Sequence, residues 1–243
     1  MHCYKHYLYQ YSNILMELNK IITGDALEEL RKLPNESVDL VFTSPPYNLG
    51  NSHHTGGKKH QAYEDNQQEW EYQIYQQYTL QECFRILKAE GSVIYNHKNR
   101  IKKGKQITPY EWITKTPFVV KQELVWFNGS QNFDKIRFYP MTERIYWLAK
   151  SPATKLFNAI NHHDLFNWKS VGTSGEHTRA FPIEMVTDIL KCFPEAGIVL
   201  DPFLGSGTTA LAAKLLGRNY IGIEKNPEYV KIAEDRLRQE QLF

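Results

Sequence analysis

The sequence predicts an α/β fold built on a doubly wound, mostly parallel sheet, and three observations lead to this expectation. Six apolar segments have the length of strands. Stretches with helical spacing separate them, and this alternation is typical of a parallel sheet flanked by helices. The chain has 243 residues, of which 42% are hydrophobic and 23% charged, so residues 1–243 can bury the core of a single domain. The six segments are residues 38–42, 92–96, 123–127, 144–149, 197–201 and 220–224.

One long helix is predicted in residues 67–91, where apolar side chains recur at intervals of three and four residues. We expect this stripe to pack on the sheet. Gly91 is expected to end the helix, because glycine is common just after a helix C-terminus. The stripe consists of Trp70, Ile74, Tyr78, Leu80, Phe84 and Leu87.

Two further helices are predicted in the C-terminal part of the chain. Residues 182–193 begin with Pro182, and proline is favoured in the first turn of a helix. In residues 226–241, Asn226 can cap the helix and Pro227 can start it.

Composition excludes several classes of protein. No apolar run approaches the ~20 residues of a membrane span. Residues 1–20 lack the continuous apolar core of a signal peptide, so a cytoplasmic protein is expected. Three cysteines lie far apart and form no Cys-x-x-Cys pair, which predicts reduced thiols. His53, His54 and His60 lack a regular ligand spacing, so no metal site is predicted.

A glycine turn follows the apolar segment at residues 197–201, in the stretch "VLDPFLGSGTTALAAKLLG". Gly205 and Gly207 allow a tight turn and a close approach to a ligand, and a helix beginning at Thr208 favours a negative group. The alternative is a turn that only joins a strand to a helix. No Gly-Lys-Ser/Thr follows, so this turn is not a P-loop.

Two carboxylates follow other strand segments. Glu224 ends the segment at residues 220–224, where a doubly wound sheet binds ribose hydroxyls; otherwise it is a solvated charge. Asp25 can cap a helix that begins near Ala26, or it can accept from a ligand amine. Ligands in such sheets lie where the strand order reverses. We therefore expect the strands that end at Asp201 and Phe42 to be neighbours.

A proline corner ends the first strand segment, in "VFTSPPYNLG" at residues 41–50. Pro45 and Pro46 fix their φ angles and supply no N–H, so the corner presents mainly acceptors. Tyr47 adds a flat apolar plate. This combination suits a planar ligand with an exocyclic amine, such as a flipped nucleobase. The alternative is a rigid turn whose tyrosine packs into the core.

The combination of "TSPPYN" with "DPFLGSGTT" resembles the DNA amino-methyltransferases that use S-adenosylmethionine, in the β order of motifs and over nearly the whole chain. The resemblance implies a Rossmann-like methyltransferase fold with a seven-stranded type of sheet. It also implies a circular permutation, in which the third cofactor strand lies at the N-terminus. The catalytic motif of the family is matched by Ser44, Pro45, Pro46 and Tyr47.

The form of this motif carries a prediction about the methylated atom. Ser-Pro-Pro-Tyr is typical of cytosine-N4 methylation and Asp-Pro-Pro-Tyr of adenine-N6 methylation, so the resemblance implies cytosine N4, with adenine N6 as the alternative. Hydrogen bonds to Ser44 Oγ and the Pro45 carbonyl would aim the lone pair of the amine at the sulfonium methyl. Tyr47 would stack on the flipped base, and Asn48 would help fix the turn.

The resemblance also implies which residues hold S-adenosyl-L-methionine. The glycine turn would wrap its methionine part, Glu224 would bind its ribose, and Asp25 would contact its adenine. The segment "HTRAFPIEMV" resembles a helix start that closes over the cofactor, which also gives Arg179 a supporting role. The predicted cofactor set is Asp25, Ala26, His177, Phe181, Pro182, Asp201, Pro202, Phe203, Gly205, Ser206, Gly207, Thr208, Glu224, Lys225 and Asn226.

Double-stranded DNA is the implied partner. A basic run after the segment at residues 92–96 is the predicted phosphate clamp, and the alternative is a solvated loop. Residues 48–66 are predicted to form a mobile active-site loop and residues 151–178 a small target-recognition insert that includes Trp168, because both are irregular. The basic run contains Lys98, Arg100, Lys102, Lys103 and Lys105.

A homodimer and a cognate restriction endonuclease are further candidate partners that the resemblance implies. Two functions of other classes stay open. One is methylation of RNA or of a protein amide through a related proline corner. The other is a noncatalytic module that binds nucleotides or DNA.

Overall fold

The computed structural model describes residues 16–50, 66–129, 136–157, 163–168 and 181–239. Within this part, eight strands form one sheet in the order β1-β10-β9-β2-β3-β7-β6-β8, and β4 pairs with β5 in a separate hairpin. The strands are β1 (Lys20–Thr23), β2 (Val38–Thr43), β3 (Leu87–His97), β4 (Arg100–Lys102), β5 (Lys105–Ile107), β6 (Val119–Phe127), β7 (Thr142–Ala149), β8 (Leu165–Phe166), β9 (Ile198–Asp201) and β10 (Asn219–Glu224). The helices are α1 (Ala26–Lys32), α2 (Glu69–Ile86), α3 (Tyr110–Ile113), α4 (Ile183–Lys191), α5 (Thr208–Leu215) and α6 (Pro227–Gln239).

The direction of the strands confirms the predicted α/β class. Pairs β1–β10, β10–β9, β9–β2, β2–β3 and β6–β8 are parallel, whereas β7 runs antiparallel between β3 and β6. All six predicted strand segments lie in this sheet. The N-terminal strand β1 pairs with β10, so the permuted strand order is also confirmed. The short strand β8 brings the sheet to eight strands, one more than the predicted seven.

The core lies on both faces of the sheet, and β2 shows why its sequence is apolar at successive positions. Val41 packs with α1, α2 and α3 in one cluster, whereas Leu40 and Phe42 pack with α4 and α5 in the other. A strand covered by helices on both faces has no solvent-facing positions to fill with polar residues. The motifs at its end are therefore held on a rigid central strand.

Helix α2 differs from its prediction at the C-terminus. It ends at Ile86, and Gly91 lies inside β3. Leu87 takes an extended conformation, with φ −70° and ψ 141°, and pairs with Val38 of β2. The strand therefore starts directly after the helix, because pairing in the sheet outweighs the local signal of the glycine.

The buried face of α2 also differs from the predicted stripe. Trp70, Ile74 and Tyr78 are exposed, whereas the sheet-facing stripe includes the polar residues Gln76 and Thr79. Both polar side chains are hydrogen bonded: Tyr95 OH donates to Gln76 Oε1 at 2.9 Å, and Thr79 Oγ1 donates to the Tyr75 carbonyl at 2.9 Å. Buried polar groups with partners are tolerated, and an apolar periodicity does not reveal them.

The other two predicted helices are present as α4 and α6. Pro182 lies just before α4, and Asn226 Oδ1 accepts from Glu228 N at 2.9 Å, which confirms Asn226 as a cap. The β4–β5 hairpin was not predicted. Its turn uses Lys103 and Gly104, both with positive φ, and this conformation suits a two-residue hairpin loop. None of the helices in the described residues has the length and apolar character of a membrane span.

Candidate active site

The proline corner and the glycine turn lie side by side at the carboxyl edge of the sheet. Strands β2 and β9 are parallel neighbours, with Leu40 opposite Val199. At their ends, Thr43 Oγ1 donates to Asp201 Oδ1 at 2.8 Å. The strand order reverses between these two strands, which confirms the predicted meeting of the two motifs at the switch point.

Asp201 organises the glycine turn from below. Its buried carboxylate accepts from Thr209 Oγ1 at 2.7 Å and from Phe203 N at 3.0 Å, in addition to Thr43. Burial raises the pKa of Asp201 to about 6, although these hydrogen bonds oppose the shift. The side chain therefore joins the end of β2, the turn and the start of α5 in one rigid unit.

The second glycine of the turn, Gly207, has no space for a side chain. Gly207 has a φ of +88°, and a Cβ added there would lie 2.7 Å from Ala233 Cβ of α6. Gly205 has a φ of +55°, and its N–H donates to Glu224 Oε2 at 2.8 Å. Arg236 of α6 donates to the Ser206 carbonyl at 2.7 Å. The turn is thus a tight backbone cradle at the N-terminus of α5, as predicted.

Glu224 is buried, so the alternative of a solvated strand-end charge is wrong. Its Oε1 accepts from Asn226 N at 2.7 Å, while Oε2 accepts from Gly205 N. The carboxylate therefore connects the loop after β10 to the glycine turn. Two backbone N–H groups therefore fix the orientation of this carboxylate.

Asp25 lies beside Glu224, because Thr23 of β1 is opposite Glu224 in the sheet. Its Oδ1 accepts from Leu27 N at 3.0 Å, which confirms the predicted helix cap. Tyr75 of α2 donates to the same carboxylate at 3.1 Å, and burial together with Asp25 raises the pKa of this tyrosine. Sequence analysis missed Tyr75, whose only signal is an aromatic ring outside the apolar stripe of its helix.

Hydrogen bonds hold the proline corner in place at Pro46 and at Asn48. Tyr72 OH lies 2.7 Å from the Pro46 carbonyl and 2.7 Å from His97 Nε2. Asn48 has a φ of +55°; its Oδ1 accepts from Gln67 N at 2.8 Å and its Nδ2 donates to the Gln67 carbonyl at 3.1 Å. The predicted role of Asn48 in fixing the turn is therefore confirmed.

The side chains of the corner enter a polar network that the sequence did not reveal. Ser44 Oγ lies 2.7 Å from Tyr47 OH, and Tyr47 OH donates to Glu143 Oε2 of β7 at 2.9 Å. Asn96, at the end of β3, donates to the same Glu143 oxygen at 2.9 Å. Burial and the carboxylate of Glu143 raise the pKa of Tyr47 well above its usual value. A polar residue at each strand end was the only signal for Asn96 and Glu143.

The basic run after β3 forms the β4–β5 hairpin, and its charges divide into two groups. Arg100 is buried and donates to Glu69 through both terminal nitrogens, at 2.8 and 2.7 Å. Lys102 lies 3.1 Å from the same carboxylate, and Lys98 lies 3.5 Å from Glu143. The expectation that Arg100 contacts DNA phosphate is corrected, because its guanidinium lies in the interior. Lys103 and Lys105 are exposed.

Replacing Lys103 and Lys105 with glutamine is expected to weaken DNA binding and to reduce the slope of log affinity against log salt by about 2, since each phosphate contact contributes close to one unit. The measurement is a salt titration of duplex binding. The matched control is the double variant Lys121→Gln/Lys191→Gln, which removes the same charge away from the corner. An equal slope in both double variants would contradict a phosphate contact at the hairpin.

The start of α4 contacts the end of β2. Phe181 packs edge-on against Phe42, with ring centroids 5.5 Å apart, and Pro182 O accepts from Val186 N at 3.4 Å. The start of this helix therefore packs on the strand that carries the proline corner. His177 and Arg179, predicted in the same motif, lie outside the described residues.

Only part of the two irregular segments is described. Trp168 stacks on Phe166 at 4.6 Å, and its carbonyl accepts from Trp126 Nε1 at 2.8 Å, which ties residues 163–168 to the outer edge of the sheet. Most of the predicted active-site loop, including the three histidines at 53, 54 and 60, lies outside the described residues. In the described ranges, no cluster of histidine, cysteine or carboxylate side chains has the arrangement of a metal site.

The predicted site residues that the structure describes converge on one edge of the sheet. The residues after β2 form the corner. The residues after β9 form the glycine turn, and those after β1 and β10 lie at the ends of the neighbouring strands. The group at the ends of β1, β9 and β10 consists of Asp25, Ala26, Asp201, Pro202, Phe203, Gly205, Ser206, Gly207, Thr208, Glu224, Lys225 and Asn226.

Sequence comparison matches this chain to a methylase family and to a type II methyltransferase. A family model described as DNA methylase, N6_N4_Mtase, matches residues 38–235. The chain is 33% identical to the type II methyltransferase M.HinfI of Haemophilus influenzae over 93% of its own length and 70% of that protein.

Solved structures show the same fold. The PvuII DNA methyltransferase, named as cytosine-N4-specific, superposes with a TM-score of 0.72 at 24% identity, over 89% of this chain and 85% of that chain. The complex of M1.HpyAVI with SAM superposes with a TM-score of 0.62 at 26% identity, over 90% of this chain and 99% of that chain.

Proposed function

The chain belongs to the DNA methylase family, and on that premise we propose that it transfers a methyl group from S-adenosyl-L-methionine to an exocyclic amino group of a base in DNA. One observation carries the proposal. The hydrogen bond of 2.8 Å between Thr43 and Asp201 holds the acceptor-rich corner next to the glycine turn. Two substrates bound at these two positions would lie in contact.

The residues of the glycine turn fit the proposed cofactor. Gly205 and Gly207 bring bare backbone to the edge of the sheet, and Gly207 has no space for a Cβ. Buried Glu224 offers a carboxylate suited to ribose hydroxyls, and Asp25 offers one suited to an adenine amine. When bound, S-adenosyl-L-methionine supplies an electrophilic methyl group on a sulfonium.

The corner would bind and orient the amine that accepts the methyl group. The lone pair of an exocyclic amine is delocalised into the base, so the amine is a poor nucleophile. Hydrogen bonds to Ser44 Oγ and the Pro45 carbonyl would favour a pyramidal nitrogen, and catalysis would consist mainly of positioning and electrostatics. Ser44 is not a strong base. The nitrogen can lose its proton after the methyl group arrives.

Cytosine N4 is the proposed target atom, and adenine N6 is the alternative. The proposal rests on the serine at the first position of the corner, which gives the Ser-Pro-Pro-Tyr form of the motif. RNA or protein-amide methylation and a noncatalytic module are the alternatives of other classes, and the family model, described as DNA methylase, favours DNA as the substrate.

The decisive experiment offers the chain S-adenosyl-L-methionine with a labelled methyl group together with duplex DNA, RNA or protein, each in a separate reaction. Digestion of the DNA to nucleosides and mass spectrometry then identify the product. We expect N4-methylcytosine in the DNA. Detection of N6-methyladenine would show that adenine N6, not cytosine N4, is the target atom. Label found only in RNA or protein would overturn DNA as the proposed substrate.

Ser44→Ala is expected to reduce the single-turnover rate of methyl transfer about 10²-fold, because it removes one of two acceptors for the amine. Tyr47→Ala should reduce the rate at least as much, because it removes both the ring proposed to stack on the base and the hydroxyl that contacts Ser44. The affinity for S-adenosyl-L-methionine, measured by calorimetry, should stay unchanged. Ser37→Ala, at the opposite end of β2, is the control. Full transfer rates in both corner variants would remove the proposed site.

Duplex DNA, a second copy of the chain and a cognate restriction endonuclease are the proposed partners, in the cytoplasm. We assign base recognition to residues 151–178 and closure over the substrate to residues 48–66, within a single domain. Methylation-sensitive sequencing of DNA from cells that express the chain would give the target base and its sequence context together.

A further inference from the structure

A group of polar side chains under the proline corner has a hydrogen-bond pattern with only one consistent direction. We call it the Ser44 network; its members are Ser44, Tyr47, Asn96, Asn128 and Glu143. Glu143 is 8% exposed, its hydrogen-bond partners in the network all donate to it, and the Lys98 ammonium lies 3.5 Å from Oε1. Oε2 accepts from Tyr47 OH and Asn96 Nδ2, both at 2.9 Å, and Oε1 accepts from Asn128 Nδ2 at 3.1 Å.

The proton of Tyr47 is assigned by these contacts. Tyr47 OH has one proton and lies next to Glu143, Asn96 and Ser44. An ionised carboxylate only accepts and an amide nitrogen only donates. Tyr47 therefore donates to Glu143 and accepts from Asn96. The raised pKa of Tyr47 agrees with a hydroxyl that keeps its proton.

The direction of the Ser44 hydroxyl follows from this assignment. Because the single proton of Tyr47 points to Glu143, the contact of 2.7 Å between Ser44 and Tyr47 requires Ser44 to donate. The lone pairs of Ser44 Oγ then remain for other donors. Asn96 Nδ2 reaches one side of this oxygen at 3.4 Å, which is a long contact.

We propose that Glu143 is a positioning residue that acts through Tyr47 to make Ser44 Oγ a dedicated hydrogen-bond acceptor for the target amine. This inference rests on the proposed function. A serine hydroxyl on its own can donate or accept, whereas an aspartate carboxylate only accepts. The Ser44 network gives the serine corner the acceptor character that an aspartate has by itself.

The expected loss of rate follows from the direction of the Ser44 hydroxyl. In Tyr47→Phe the aromatic ring is kept, but the Ser44 proton loses its acceptor and can turn toward the amine. We expect the single-turnover rate to fall about 10-fold, because a donor facing the amine replaces one hydrogen bond. Glu143→Gln should have a similar effect, since one of its two oxygens becomes an amide donor that faces other donors.

The discriminating experiment is a second-site rescue. Ser44→Asp, placed in the Tyr47→Phe and Glu143→Gln backgrounds, supplies an acceptor that does not depend on the network. Both double variants are expected to transfer methyl groups faster than the corresponding single variants. Affinity for S-adenosyl-L-methionine, measured by calorimetry, should match the wild type throughout. Glu123→Gln, which alters a carboxylate paired with Arg144 outside the network, is the matched control.

Each outcome has a defined meaning. Wild-type rates in Tyr47→Phe and Glu143→Gln would overturn the assignment. Reduced rates that Ser44→Asp restores in neither background would also overturn it, because the residues would then act only through folding. A wild-type chain that transfers no methyl group to DNA would overturn the proposed function itself, a result that differs from both of the others.

Discussion

Gly207→Ala is expected to lower the free energy of unfolding by about 3 kcal/mol, from a left-handed backbone and a steric clash together. Gly207 has a φ of +88°, and an added Cβ would lie 2.7 Å from Ala233 Cβ and 3.1 Å from Ala233 Cα. Neither atom of α6 can move without shifting the helix. The variant should also lose affinity for S-adenosyl-L-methionine, because the displaced turn is the proposed cofactor cradle. Chemical denaturation and calorimetry measure the two effects.

Gly217→Ala separates the two contributions. Gly217 has a similar φ of +69°, but nothing lies within 4 Å of an added Cβ. This control should therefore cost about 1 kcal/mol from the backbone alone and leave cofactor affinity intact. Equal losses of stability in the two variants would show that the packing of α6 against the turn is not the source of the effect.

Arg100→Ala is expected to lower the free energy of unfolding by about 2–3 kcal/mol, because Glu69 loses two charge-assisted hydrogen bonds while Lys102 still lies 3.1 Å from its carboxylate. The guanidinium of Arg100 donates to both oxygens of Glu69 and lies over the Tyr72 ring, 4.8 Å from its centroid. Burial would raise the pKa of Glu69, but hydrogen bonds from Arg100 and Gln73 hold it below its usual value. Equilibrium denaturation at neutral pH measures the loss.

The stability that the Arg100–Glu69 ion pair contributes should depend on pH. A carboxylate with a lowered folded-state pKa adds stability above its unfolded pKa, and this stability is lost as the pH falls through the folded value. The difference between wild type and Arg100→Ala should therefore shrink below about pH 4. Lys103→Ala, at the exposed tip of the same hairpin, is the control and should leave stability nearly unchanged. A loss limited to DNA affinity in Arg100→Ala would contradict the structural role.

The proline corner and the glycine turn could be predicted because their chemistry is local. Proline restricts its own φ angle in any surroundings. Glycine adopts the positive φ angles of a tight turn, which are strained for other residues. The cap at Asp25 is local for the same reason, since it uses backbone N–H groups a few residues away.

Features that depend on distant partners could not be predicted in this way. Arg100 belongs to a basic run typical of a solvated or DNA-binding loop, yet Glu69, 31 positions earlier, pairs with it in the interior. The buried face of α2 follows the polar partners of Gln76 on β3 and not the apolar spacing of Trp70, Ile74 and Tyr78. In both cases the sequence contains the residues but not their pairing.

The amino-acid sequence by itself determined six strands of the sheet, the corner and the glycine turn, because each is specified by neighbouring residues through backbone restriction or apolar runs. Their permuted order came from the resemblance to the family. Only the tertiary structure decided that Glu143 lies under Ser44 and Tyr47 and that Arg100 lies inside. Those contacts form between strands and helices far apart in the chain, and their free energy depends on burial and geometry that exist only after the sheet has assembled.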